Sequence, residues 1–121
     1  MSSQLRMYVD GEWVEATGGE RLDVYNPATE EVIATVPDAQ PADAERAIEA
    51  ARRAFDEGQW WPRTSERDRG RILLRAAEIV RREQERLARL ETCDCGKPLS
   101  EARDDIAEVA FMFEYYGGWP T

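Results

Sequence analysis

Apolar and polar residues alternate with a period of two over residues 6–16, RMYVDGEWVEA, and Asp10-Gly11 interrupts the alternation at its centre. Successive strand side chains point to opposite faces, and Asp-Gly supplies the positive φ angles of a two-residue turn. The stretch therefore predicts a β-hairpin. Residues 17–20, TGGE, read as a second turn, and Leu22, Val24 and residues 32–36 predict two more short strands around a turn at Asn26-Pro27. From Pro41 the period changes. Ala44, Ala47, Ile48, Ala51 and Phe55 recur at helical spacing up to about Glu57, and Gly58 ends the run. A second helix is predicted over 65–92, with Ser65 as N-cap, Asp68 three residues on, and Ile72, Ala76, Ile79, Val80, Leu87 and Leu90 as its buried stripe. A third runs over 98–116, with Leu99, Ala102, Ile106, Val109, Ala110, Phe113 and Tyr116 on one face. Phe111 and Met112 widen its apolar arc, so this helix expects neighbours on more than one side.

The expected fold class is α+β: a β-hairpin and short strands over 1–37, then three amphipathic helices over 38–121. The 121 residues suffice for one domain with a modest core. Between the helices, Arg and Glu alternate along the exposed positions, which reads as a solvated face of i,i+4 pairs. The loop Gln59-Trp60-Trp61-Pro62 carries two large rings, expected to cover an edge of the core or to stack on a ligand or subunit.

Charge narrows the function. The net charge is −9, from 25 acidic and 16 basic side chains. Phosphate backbones need clustered Lys and Arg, so no nucleic-acid partner is expected, and anionic membrane surfaces are disfavoured for the same reason. Neither an 18-residue apolar run nor an apolar secretory segment is present, so the expected location is cytoplasmic. Lys97 is the sole lysine beside 15 arginines, a bias that fits a high-salt proteome or a GC-rich genome. Histidine is absent, which removes Ser–His and Cys–His pairs and the commonest general base. Cys93 and Cys95 stand too close in sequence for an unstrained bridge, lack a second pair for zinc, and are expected to be buried, inert thiols. No glycine-rich phosphate motif occurs.

The most distinctive run is residues 90–103, LETCDCGKPLSEAR. Gly96 stops one helix and Pro98 starts the next. Asp94 is a lone carboxylate at this joint, placed either to cap backbone N–H groups or to bind a cation.

Three groups of motifs, in this order, resemble the N-terminal part of the aldehyde dehydrogenase superfamily. They are YVDGEWVEA followed by YNPATEEVIATVP; AIEAARRAF followed by the WW loop and SERDRGRILLRAAEIV; and LETCDCGKPLSEAR followed by FEYYGGW. The joint matches every fixed position of the family's L-x-T-x-D-x-G-K-P pattern, and the YYGGW and LETCDCGK variants are most similar to the betaine-aldehyde branch. The resemblance implies a parent enzyme that oxidises an aldehyde to a carboxylic acid with NAD or NADP, through a cysteine thiolate, a thiohemiacetal and a glutamate-activated water. Family enzymes are several times longer. Their cofactor contacts, base glutamate and Gly-Gln-x-Cys nucleophile fall beyond residue 121, and neither Cys93 nor Cys95 matches that nucleophile. No catalytic or cofactor-binding residue is therefore expected in this chain.

The resemblance also implies a monovalent cation, K+ or Na+, held by the backbone carbonyls of Val24 and Tyr25 and by Asp94. Hard cations take such oxygen donors, although Asp94 serves equally as a helix cap. It further places Glu108 and Met112 on a helix that lines the substrate tunnel, with core or interface packing as the alternative. The hairpin over 7–14 corresponds to a subunit-bridging region. Three readings follow: an incomplete N-terminal dehydrogenase segment, inactive alone and prone to self-association, whose partner is the remainder of the enzyme or a homologous chain; an assembly subunit docking on a separately encoded catalytic chain; or a small ligand- or metal-binding domain using Trp60, Trp61 and the Cys-x-Cys pair.

Overall fold

The structure, a computed structural model, describes residues 3–59 and 63–119. Trp60 and Trp61, expected to cover a core edge or stack on a ligand, lie outside the described residues. The elements are β1 (Ser3–Gln4), β2 (Met7–Val9), β3 (Glu12–Val14), β4 (Arg21–Tyr25), β5 (Val32–Pro37), α1 (Pro41–Glu57), α2 (Glu66–Arg82), α3 (Gln84–Cys95) and α4 (Leu99–Gly117). They fall into two compact units, residues 1–62 with the strands and α1, and residues 63–121 with α2, α3 and α4.

In the first unit β2 and β3 form the expected hairpin, with Met7 opposite Val14 and Val9 opposite Glu12. Asp10 and Gly11 have φ of +55° and +85°, the two positive values of a type I′ turn, whose twist matches that of the strands. Tyr8 and Trp13 pair across the hairpin with ring centroids 5.0 Å apart. The second sheet has the order β1-β5-β4, parallel between β1 and β5 and antiparallel between β5 and β4. Arg21 ties it together, donating to Thr35 Oγ1 at 3.1 Å, to the Thr35 and Leu5 carbonyls, and to Glu15. Helix α1 lies against β2, and Arg53 pairs with Asp10 at 3.0 Å.

The predicted stripe of α1 is not where α1 buries its side chains. Asp43 and Ala50 are its buried residues, whereas Ile48 is 68% and Phe55 55% exposed. Asp43 accepts from Thr17 N at 3.0 Å, from Thr17 Oγ1 at 2.6 Å and from Gln40 N at 3.1 Å. It thereby closes one orphan donor at the helix start and anchors the turn after β3. These three bonds hold its carboxyl below the ordinary carboxylate range, with the Thr17 hydroxyl contributing most.

In the second unit the single helix expected over 65–92 is two helices. Glu83, with φ −95° and ψ 6°, separates α2 from α3. Ser65 caps α2 as predicted, its Oγ accepting from Asp68 N at 3.2 Å. Helix α4 packs on both α2 and α3. The contact is made of small residues: Gly70, Ala77, Ala88, Ala102, Ala110 and Gly117 are all buried. A Cβ on Gly117 would stand 3.2 Å from the Gly70 carbonyl and 3.0 Å from the Leu74 side chain, so the two backbones meet where only hydrogen fits comfortably. The predicted stripe of the second helical stretch is offset, because Ile72 and Leu90 are exposed and Ala77 and Ala88 are buried in their place.

Candidate functional site

Two places in the second unit concentrate chemistry, the α3–α4 joint and a groove on α4. At the joint, Gly96 takes φ +76° and donates its N–H to Thr92 O at 3.0 Å, the left-handed termination read from the sequence. Pro98 sits one position earlier than expected, as N-cap of α4, and its carbonyl accepts from Ala102 N at 3.0 Å. Lys97 crosses the joint. Its Nζ donates to Glu91 Oε1 of α3 at 3.1 Å and to Asp105 Oδ2 of α4. Those two carboxylates, Asp105 foremost, hold the ammonium charged well above the ordinary lysine range. Arg103 adds a forked pair to Glu85, at 2.8 and 3.0 Å, and Gln84 Nε2 donates to Arg103 O at 3.0 Å.

Asp94 lies in the last turn of α3, exposed, and caps no helix: no hydrogen bond to it forms among the described residues. A carboxylate beside the free carbonyls at a helix C-terminus sits in an unfavourable local field, which a cation would relieve. Val24 and Tyr25 belong to the first unit. Val24 pairs with Ala34 in the β4–β5 ladder, and the register shifts between Val24 and Tyr25. Beyond them Asn26 makes the predicted turn, its side chain accepting from Ala28 N at 2.9 Å. Backbone carbonyls are donors of the kind a hard cation takes.

The thiols differ from expectation, since Cys93 and Cys95 are exposed rather than buried. Both stand in the last turn of a helix whose buried side is marked by Ala88, and Cys95 donates its S–H to Glu91 O at 3.1 Å. The neighbouring Thr92 hydroxyl is buried without a hydrogen-bond partner among the described residues. Among those residues no group of three or more His, Cys, Asp or Glu side chains gathers to hold a metal, and no helix is long and apolar enough to cross a membrane.

The groove brings Glu108 and Met112 together. It encloses about 400 Å³ and is lined by Leu73, Glu108, Val109, Met112, Phe113 and Tyr116. The lining is wholly apolar, Glu108 contributing the hydrocarbon part of its side chain. Glu108 and Met112 are four residues apart and therefore neighbours on one helix face, which is how the sequence places them together. Leu73, from α2, was not legible in that spacing. Asp43 was missed as well; its signal was an acidic residue at the third position after the helix start.

The sequence model of the aldehyde dehydrogenase family matches residues 13–121. Betaine aldehyde dehydrogenase of Bacillus subtilis is 45% identical over 112 residues, which cover 93% of this chain and 23% of that protein. Among solved structures, an NAD-dependent aldehyde dehydrogenase from Sinorhizobium meliloti superposes with a TM-score of 0.91 at 38% identity, covering 98% of this chain and 24% of its own. Betaine aldehyde dehydrogenase from Staphylococcus aureus in complex with NAD+ gives 0.89 at 43% identity, covering 93% and 22%. This chain thus spans under a quarter of the length of these relatives. Since its motifs, its fold and all but its first dozen residues match, the chain belongs to the aldehyde dehydrogenase family.

Proposed function

We propose that the chain is the N-terminal part of an NAD(P)-dependent aldehyde dehydrogenase that converts an aldehyde to a carboxylic acid, and that it is inactive by itself. The observation that carries this reading is the family match over 13–121 in a chain that covers only 23% of the Bacillus subtilis enzyme. The residues present do not make a cofactor site: there is no glycine-rich phosphate loop, no histidine, and neither thiol stands in a Gly-Gln-x-Cys context. When bound to the whole enzyme, the nicotinamide supplies hydride acceptance. This chain contributes a scaffold, one wall of the substrate passage at Glu108 and Met112, and oxygen donors for K+ or Na+ at Val24, Tyr25 and Asp94.

An apolar groove lined by the rings of Phe113 and Tyr116 suits an aldehyde whose far end is a weakly hydrated cation, which aromatic rings attract. Betaine aldehyde, after which two of the relatives are named, is such an aldehyde. The test is a chimera in which this chain replaces the matching 112 residues of the Bacillus subtilis enzyme. It should oxidise betaine aldehyde with NAD+, whereas the 121-residue chain alone should not. Phe113→Leu in the chimera should raise KM for betaine aldehyde and leave that for a neutral aldehyde unchanged, and Asp94→Ala should abolish stabilisation by K+. A folded but inactive chimera, or turnover by the isolated chain, would overturn the reading.

A further inference from the structure

Helix α4 carries two apolar arcs. One, with Ala102, Ile106, Ala110 and Gly117, is buried or half-buried where α4 packs on α2 and α3. The other faces solvent. Phe111 and Tyr115 stand four residues apart on one stripe of α4, and Trp119, two residues past the helix end, packs its ring on Tyr115 to extend it. They are 52%, 47% and 67% exposed. Their rings are already assembled: the centroids of Phe111 and Tyr115 are 6.2 Å apart and those of Tyr115 and Trp119 5.7 Å apart. Tyr116 flanks the ladder edge-on to Tyr115, at 5.2 Å.

We infer that this ladder docks the remaining part of an aldehyde dehydrogenase chain, and does so when that part is supplied as a separate polypeptide. The inference rests on the function proposed above. Three observations favour this occupant. The larger part of the dehydrogenase fold lies outside this chain, which covers 23% of its Bacillus subtilis relative. The ladder sits on a helix already anchored through alanine and glycine contacts, so docking requires little further ordering, and pre-arranged Tyr and Trp rings are the residues that concentrate binding energy. A second copy of this chain is the weaker occupant, associating only as concentration rises, because each copy carries a net charge of −9.

The experiment co-expresses the tagged 121-residue chain with the Bacillus subtilis enzyme lacking its matching 112 residues. The two should co-elute on tag purification. The double substitution Tyr115→Asp and Trp119→Asp should cut recovery of the partner tenfold or more, while the helical circular dichroism of the isolated chain stays unchanged because both rings are exposed. Loss of co-elution beside an active covalent chimera would overturn separate-chain docking and leave the proposed function standing. Co-elution beside an inactive chimera would keep the docking and overturn the proposed function. Undiminished co-elution of the double variant, or a ring-dependent homodimer that excludes the partner chain, would overturn the ladder as the docking site.

Discussion

Asp43 joins parts of the first unit that are remote in sequence. It is 2% exposed and draws its donors from Thr17 and Gln40. A buried carboxylate is tolerable only with such partners. Asp43→Asn keeps the shape but replaces one accepting oxygen with an NH2 donor that faces other donors. The variant should melt at lower temperature than the wild type, and by more than Asp56→Asn, which loses a pair with Arg52 on the helix surface. Because its folded-state affinity for protons is lowered, Asp43 adds stability above the ordinary carboxylate range and loses it as pH falls through its own value. Gly96 is a separate test. At φ +76° a side chain strains the backbone, so Gly96→Ala should cost about 1 kcal/mol in urea unfolding, by the left-handed penalty for L-residues. Gly96 was legible from Gly-x-Pro spacing, a local rule. Asp43 was not, because its hydroxyl donor Thr17 is 26 positions away in sequence.

Between elements, the division of the second helical stretch at Glu83 left no breaker in the sequence: residues 81–86, RREQER, contain neither Gly nor Pro. Glu83 collects Arg82 and Arg86 at 3.2 and 3.0 Å, and the following turn supplies Glu85 to Arg103 of α4. The charges read as a solvated face therefore include links to α4, from Glu85 to Arg103 and from Arg81 to Glu114. Arg103, and then Arg89, lower the Glu85 carboxyl from 4.5 to about 2. A depressed acid stabilises the fold above its unfolded value and loses that contribution as pH falls towards the folded one. Melting temperature should thus fall between pH 4.5 and pH 2, and Arg103→Met should flatten that part of the profile. Equal slopes in the two proteins would show that the pair contributes nothing there. Hairpin, N-cap and left-handed stop were legible because each depends on neighbours within a few residues. The offset of the buried stripe from Ile72 and Leu90 to Ala77 and Ala88 was not, because periodicity identifies an apolar face without saying which edge of it meets a neighbour.

For the whole chain, the buried apolar side chains among the described residues are all alanines: Ala16, Ala34, Ala50, Ala77, Ala88, Ala102 and Ala110. The large apolar residues stand half-exposed or exposed. The chain presents 9000 Å² to solvent, whereas two separate compact bodies of half its mass would together present about 8,000 Å² by the usual scaling. Apolar faces of this extent promote association. The isolated chain should bind an apolar-surface dye and elute at a size that grows with concentration, and a dye-free, concentration-independent monomer would show that the faces are satisfied within the chain. The sequence by itself determined the α+β class, the family and the local stops and turns, since these depend on residue chemistry over short spans. Only the tertiary structure decided which apolar faces are covered, that Cys93 and Cys95 meet solvent, and that Glu108 and Met112 share a groove with Leu73. Burial is a property of what packs against a surface, which residue chemistry over a short span does not specify.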